Sequence, residues 1–171
     1  FTLQHIQKSK KTIKKTIMNV SENRFDYCKK LGNLFEEDFK NRVIRSKLKY
    51  KKSTKKDDWY KHIDCYVNGY GVDVKGNRRL KTIWLEHTNV NGFKGWLRGD
   101  ATYIAMHITE LDKFSIYKRK DLLDYVVSKT DGYTTDKKHY FKFYTREKWG
   151  KKDKIVKVKY EDINHLELKL L

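Results

Sequence analysis

The stretch HIDCYVNGYGVDVK, residues 62–75, carries the strongest local signal in this sequence. Its central pair, Asn68–Gly69, is the preferred pair of a two-residue type I′ hairpin turn. Polar and apolar residues alternate on both sides of this turn, as they do in half-buried strands. The pattern predicts a hairpin made of the strands Trp59–Val67 and Tyr70–Lys75.

The register of this hairpin brings two carboxylates together. Counting outward from the turn, Asp64 faces Asp73 and His62 faces Lys75, and the period of two puts all four side chains on one face. Directly opposed aspartates repel each other, and a divalent cation between them would remove the repulsion. The amine of Lys75 reaches the same place, where it can orient a water or stabilise charge on a phosphate. The alternative is a solvated hairpin face, and a slip of one residue would separate the aspartates.

The spacing of Asp64 and the segment Asp73–Lys75 resembles the signature of the PD-(D/E)xK nuclease superfamily. Four segments are similar to small phage-type members of it: HIDCY (62–66), VDVKG (72–76), IWLE (83–86) and GWL (95–97). The resemblance as a whole covers roughly residues 22–128. The proline that often precedes the first aspartate is replaced by Ile63. The resemblance implies an α/β fold with a mixed central β-sheet flanked by helices, in a restriction-endonuclease-like αβββαβ core.

The same resemblance implies a Mg²⁺-dependent deoxyribonuclease, in which Mn²⁺ can replace Mg²⁺. Asp64 and Asp73 would bind the metal, and Lys75 would position the attacking water. On the first helix, Glu36 matches the acidic position of the superfamily best, as a catalytic residue and metal ligand. Glu37 is the second choice for that position.

Glu86 lies in an apolar run of the next predicted strand, where a buried carboxylate needs a partner. A contact with the metal and a salt bridge to a nearby Lys or Arg are both open interpretations. Six residues in two loops are candidates for binding DNA phosphates or bases: Arg78, Arg79, Lys81, Lys94, Trp96 and Arg98. The first loop can equally be a solvated connection, and Trp96 can equally belong to the core. Packed or surface roles are expected for His62 and His87.

The net charge of the 171-residue chain is +18 at pH 7. Such a charge favours a polyanionic partner, because phosphates are neutralised and counterions released on binding. We therefore expect DNA as the partner. No membrane contact is expected, since no apolar run approaches about 18 residues. The cysteines Cys28 and Cys65 are expected to be buried free thiols, which suits a reducing intracellular compartment: the cytoplasm, or the host cytoplasm for a phage-encoded protein.

The remaining sequence predicts a basic N-terminal arm or helix at residues 1–20, followed by a single nuclease domain at 21–171. Ser21 is expected to cap a helix that runs to about Lys40. Further strands are expected at residues 42–50, 82–88, 101–108, 113–117, 140–144, 155–159 and 165–170, with loops at 51–58, 76–80 and 89–99 and a second helix at 120–128.

Two alternatives to a general deoxyribonuclease stay open. One is a structure-selective endonuclease that resembles junction resolvases and works as a homodimer on branched DNA. The other is a non-catalytic nucleic-acid-binding module, in which the fold and charge persist but the aspartates bind no metal.

Overall fold

The computed structural model describes residues 24–168. Packing divides the chain into two units, residues 1–33 and residues 34–171. The described part of the first unit, residues 24–33, is helical throughout, and its Cys28 is exposed rather than buried as expected. The predicted basic arm at residues 1–20 and the Ser21 cap lie outside the described residues.

Four α-helices and ten strands make up the described chain. In chain order they are α1 Arg24–Arg45, β1 Tyr50–Lys52, α2 Lys55–Lys61, β2 Cys65–Val67, β3 Tyr70–Arg78, β4 Ile83–Thr88, β5 Tyr103–Ile108, β6 Lys113–Lys118, α3 Arg119–Lys129, β7 Tyr133–Thr134, β8 Phe143–Thr145, β9 Lys154–Val158, α4 Tyr160–Ile163 and β10 Glu167–Leu168. Short 3₁₀ turns lie at Trp96–Arg98, Glu147–Trp149 and Asn164–Leu166.

The strands form two mixed sheets. The first has the order β1-β2-β3-β5-β6-β10, and the second has the order β4-β9-β8-β7. Each sheet contains one parallel pair, β3 with β5 in the first and β7 with β8 in the second. The expected α/β class is therefore confirmed, but the chain has two sheets where a single central sheet was expected.

The part of α1 that belongs to the second unit, from residue 34 onward, covers one face of the first sheet. Phe35, Phe39 and Val43 recur every fourth residue and are buried, as expected for the apolar stripe of a surface helix. The Phe39 ring lies 5.1 Å from the ring of Phe114 on β6, and the Phe35 ring lies 4.7 Å from that of His107 on β5. These contacts fix the helix across the middle of the sheet.

The opposite face of the first sheet packs on the main core. Alternate residues of β5 (Ile104, Met106 and Ile108) point into this core and are fully buried. They pack with residues of the second sheet, of α3 and of the first 3₁₀ turn: Ile83, Leu85, Val156, Val158, Leu122, Val126, Trp96 and Leu97. The first sheet is therefore enclosed between α1 and the second sheet.

Two expected strands near the hairpin are wrong. Residues 42–45, expected to begin a strand, continue helix α1, and β1 starts only at Tyr50. The expected loop at 51–58 and the expected strand from Trp59 are replaced by the end of β1 and by helix α2. Thr54 caps α2 by accepting the N–H of Asp57 at 3.1 Å. A capping threonine followed by acids in the first turn favours a helix there.

Smaller differences concern three other segments. β3 runs on to Arg78, through the residues expected to form a basic loop. Most of the strand expected at 140–144 is replaced by β8, which starts at Phe143. In place of the last expected strand, the described residues show a 3₁₀ turn and then the two-residue strand β10.

Replacement of Gly76 by alanine should destabilise the protein by about 1–3 kcal/mol, the usual penalty of overpacking. An added Cβ at this position of β3 would lie 2.0 Å from Cδ2 of the buried Phe35 ring, so α1 would have to move away from the sheet. Urea unfolding of Gly76→Ala measures the change. Gly32→Ala on α1 is the control, because its added Cβ meets no described atom within 4 Å. Equal stability of the Gly76→Ala variant and the wild type would contradict the close packing.

Candidate active site

The β2–β3 hairpin has the turn and the register that the sequence predicts. Asn68 and Gly69 both have positive φ, 49° and 88°, as a type I′ turn requires. The strands pair Val67 with Tyr70 and Cys65 with Val72. The Asn-Gly turn therefore sets the frame in which the acidic residues stand.

The pairing of β2 with β3, counted outward from the turn, ends at Cys65 and so stops one residue short of Asp64. The backbone N–H of Asp64 donates to Val72 O at 2.9 Å, and its carboxylate Oδ2 accepts the buried N–H of Val74 at 2.7 Å. Both the backbone and the side chain of Asp64 therefore hold it beside β3, but Asp64 is not paired across the ladder with Asp73. The expected position of His62 opposite Lys75 is also wrong, because His62 is the left-handed C-cap of α2 with φ 54°.

Asp73 is a buried carboxylate with few partners. It is 1% exposed, and Lys75 Nζ lies 2.6 Å from its Oδ1 as an ion pair. Neither carboxylate oxygen accepts a hydrogen bond of normal geometry within the described chain. Burial is the largest cause that raises the pKa of Asp73, the Lys75 ammonium opposes it and the nearby Asp64 charge adds to it, and the net result is a pKa of about 7. The carboxylate is therefore short of the positive charge and donors that normally accompany burial.

Trp96 forms a wall against which two cations lie. Lys75 Nζ is 5.5 Å from the centre of the indole ring, and Arg78 Cζ is 5.8 Å from it. The pairing of β3 with β5 shifts by one residue between Lys75 and Arg78, and Asn77 there has φ 54°. A bulge of this kind reverses the alternation of side chains. It brings Arg78 to the same side of β3 as Asp73 and Lys75.

Asp58 on α2 belongs to the same cluster, and sequence reasoning missed it. Burial raises the pKa of Asp58, and the Asp64 carboxylate, which also shares a hydrogen bond with it, raises it further. The charge of Lys75 acts on Asp58 in the opposite direction. The sequence feature that could have identified Asp58 is the capping Thr54, four positions earlier. It places Asp58 in a helix that ends three residues before Asp64.

Glu36 stands at the margin of the cluster. Its carboxylate forms an ion pair with Lys52 on β1. Burial lowers the pKa of Lys52, but the hydrogen bond and charge of Glu36, together with the charge of Asp64, raise it on balance. Glu36 and Asp64 are thus linked through a shared lysine. Glu37, the second choice for this position, pairs with Lys40 at 3.0 Å on the same helix.

Glu86 is half-buried on β4 and lies near Arg78. Burial lowers the pKa of Arg78, and the charges of Asp73 and Glu86 oppose that shift. The structure establishes neither a salt bridge nor a metal contact for Glu86, so both interpretations of this residue stay predictions.

The other candidates for DNA contact are spread over the surface, apart from Trp96, which is buried. Arg79 is exposed, with its Nη1 3.8 Å from Glu110 Oε1. Lys81 and Lys94 are exposed and Arg98 is half-buried. The burial of Trp96 under Lys75 and Arg78 favours the core interpretation of that residue over base stacking.

Only two carboxylates, those of Asp64 and Asp73, are candidates to bind one Mg²⁺ ion among the described residues. Across residues 24–168, no three Asp, Glu, His or Cys side chains are grouped so that they could hold one metal ion. The ligand set expected from Asp64, Asp73, Glu36 and Glu86 is therefore not assembled in this structure. The Asp73 carboxylate, which has Lys75 as its ion-pair partner and the Asp64 charge nearby, matches Mg²⁺, which needs one or two carboxylates and takes its other ligands from water and phosphate.

Comparisons with protein-family models, with curated proteins and with solved structures give no match. In the described part of the chain, no helix is both long enough and apolar enough to cross a membrane.

Without divalent ions, Asp73→Asn should be more stable than the wild type at pH 8 by about 1–2 kcal/mol. The pKa of Asp73 in the folded protein, about 7, exceeds its ordinary value of 3.8. Between these pH values the folded state therefore keeps a proton that the unfolded state has released, and stability falls as the pH rises. Loss of the ion pair with Lys75 offsets part of the gain. Asparagine removes the pH dependence.

Urea unfolding of both proteins at pH 4 and at pH 8 measures this difference, which should vanish at pH 4. Glu161→Gln, at an exposed carboxylate far along the chain, is the control for loss of a negative charge. A destabilised Asp73→Asn variant at pH 8 would show that Asp73 is adequately compensated in the wild type.

Proposed function

We propose that this protein is a metal-dependent nuclease that hydrolyses phosphodiester bonds of DNA, with its active site at Asp64, Asp73 and Lys75. The observation that carries the proposal is the buried Asp73 carboxylate, which has one ion-paired lysine, the charge of a neighbouring aspartate and no further hydrogen-bond donor among the described residues. Perturbed carboxylates of this kind concentrate at functional sites. The PD-(D/E)xK resemblance of the sequence supports the same reaction, and a restriction-endonuclease-like core belongs to this proposal.

Asp64 and Asp73 would hold Mg²⁺ or Mn²⁺, which when bound supplies a Lewis acid for the scissile phosphate and lowers the pKa of a bound water. Glu36 would act from outside this pair, through Lys52. The hydrogen bond from Val74 N–H keeps the Asp64 carboxylate oriented.

Lys75 would orient the attacking water and stabilise negative charge that develops on the phosphate. The Lys75 ammonium is held on two sides, by Asp73 at 2.6 Å and by the Trp96 ring at 5.5 Å. Arg78 adds a second cation over the same ring. A phosphate that enters this side of β3 therefore meets two positive groups whose positions are already fixed.

The net charge of +18 supports a polyanionic substrate. Arg79, Lys81, Lys94 and Arg98 would add phosphate contacts in loops on either side of β4. These contacts bind the backbone and are independent of base sequence.

Asp64→Asn, Asp73→Asn and Lys75→Met should each reduce cleavage of plasmid and single-stranded DNA in Mg²⁺ by about 10²–10³-fold, the usual effect of removing one group that stabilises the transition state. Initial cleavage rates on a gel measure this loss. Glu161→Gln should cut like the wild type. Equal rates in the wild type and Lys75→Met would remove Lys75 from the mechanism.

Mn²⁺ or Mg²⁺ should raise the melting temperature of the wild type, because a ligand that binds only the folded state stabilises it. Asp73→Asn should lose this shift, and Glu161→Gln should keep it. A thermal melt with and without each ion measures the shift and needs no DNA. If Asp73→Asn responds to the ions as strongly as the wild type, the metal binds elsewhere.

Two other functions are outcomes of the same experiments. A wild type that binds DNA but cuts no linear, single-stranded or branched form is a nucleic-acid-binding module. Cleavage of branched DNA at much higher rates than linear DNA would identify a structure-selective endonuclease, and sedimentation would show whether it works as a homodimer.

A further inference from the structure

Helix α2 exposes two large aromatic side chains. Trp59 is 73% exposed and Tyr60 is 77% exposed. The seven residues of the helix include none that is buried. A short helix normally gains its stability by burying an apolar face, and exposed apolar surface often marks a binding site. The core therefore does not account for these two rings.

The helix is nevertheless held firmly at both ends. Thr54 caps its N-terminus, and Lys61 pairs with Asp57 at 2.7 Å one turn away. At its C-terminus, Lys61 O accepts the N–H of Asp100 at 2.8 Å. Added atoms at Gly99 would collide with His62, so the helix end lies tightly against that loop. The rings are thus presented on a fixed support, which lowers the entropy lost on binding.

Each ring shares a helix face with a lysine. Lys55 precedes Trp59 by four residues, and Lys56 precedes Tyr60 by four residues. Residues spaced in this way are neighbours on a helix surface, about 5–6 Å apart between Cβ atoms. Both lysines are exposed. Two adjacent stripes therefore each offer a cation and an aromatic ring.

This surface adjoins the candidate active site through the chain itself. Helix α2 ends at Lys61, three residues before Asp64, and the N–H of Ile63 donates to Asp57 O at 3.3 Å. A strand bound at Asp64 and Lys75 would therefore lie close to the end of α2.

We propose that Trp59 and Tyr60 stack on unpaired bases next to the phosphate that is cut, so that the substrate is single-stranded DNA or DNA with a single-stranded segment. This inference rests on the proposed nuclease function for the position of the cut, and on α2 alone for the stacking. Stacking of bases on aromatic rings needs unpaired bases and is independent of sequence. The neighbouring lysines contact the phosphates of the same strand.

The ring and lysine pairs favour a nucleic acid strand over a protein partner. Helix α2 carries three lysines (Lys55, Lys56 and Lys61) against two aspartates, so it keeps a positive charge within a strongly basic chain, and such a surface repels another copy of itself. A single strand offers both phosphates and exposed ring faces. In a duplex the bases are already stacked on each other, so the rings would have nothing to contact.

The test measures binding in the Asp73→Asn background, so that the DNA stays intact. The probes are a labelled oligo-dT strand of about 20 nucleotides, an abasic strand of the same length and a duplex of the same length. Replacing Trp59 and Tyr60 together by alanine should weaken binding of oligo-dT by about 10- to 100-fold, and binding of the duplex and the abasic strand by less than about threefold. The control is Trp149→Ala, which removes a 57% exposed ring from the 3₁₀ turn Glu147–Trp149 and should leave binding of all three probes unchanged.

Unchanged oligo-dT binding, or equal losses for oligo-dT and the abasic strand, would overturn the proposal. The proposal would also be overturned if the Trp59 and Tyr60 double variant lost self-association in sedimentation but kept its oligo-dT binding. The surface would then join copies of the chain. With Asp73 restored, the Trp59 and Tyr60 double variant should cut single strands more slowly relative to duplex. A wild type that cuts no DNA while its oligo-dT binding depends on Trp59 would refute the nuclease function and leave the stacking surface standing.

Discussion

One backbone hydrogen bond holds the candidate site together. Val74 lies between Asp73 and Lys75, and its N–H donates to the Asp64 carboxylate at 2.7 Å. Both groups are buried, so neither can exchange this partner for water without opening the hairpin. Asp64 comes from an irregular segment after α2, where a carboxylate would otherwise have many positions open to it. The bond fixes that carboxylate to the middle of β3, an inner strand of the first sheet. Asp64, Asp73 and Lys75 are therefore all held by the hydrogen-bonded strands of that sheet.

The surrounding fold tolerates an unfavourable group at this point. Asp73 is buried with Lys75 as its ion-pair partner, and burial raises its pKa because the charged form loses water. Elsewhere the same strand is well packed: Val72 and Val74 are buried, and Gly76 lets the Phe35 ring of α1 approach the backbone. The tightly packed residues lie on one face of β3, and the charged residues Asp73, Lys75 and Arg78 lie on the other. Such a division is typical of functional sites, which proteins keep at the expense of stability.

Local signals could be predicted from the sequence, and contacts between distant segments could not. The Asn68–Gly69 turn and its register depend on two adjacent residues, so the pattern alone was sufficient. Helix α2 was missed because Trp59 and Tyr60 are typical of strands, while the cap at Thr54 that decides the matter is a single side chain. The parallel pairing of β3 with β5 joins segments separated by β4, and no local pattern encodes it. For this reason the second sheet was also unexpected.

The missed helix alters the chemistry attributed to the hairpin. With Trp59–Val67 as a strand, Asp64 would lie in a regular ladder and Asp58 would be remote from it. With α2 in place, the chain turns sharply at His62, where φ is 54°, so Asp58 and Asp64 approach each other from two sides of the turn. The left-handed cap at His62 therefore links the surface rings of α2 to the buried carboxylates within a few residues. Under the proposed function, a substrate strand that stacks on these rings would lie within a few residues of Asp64 along the chain.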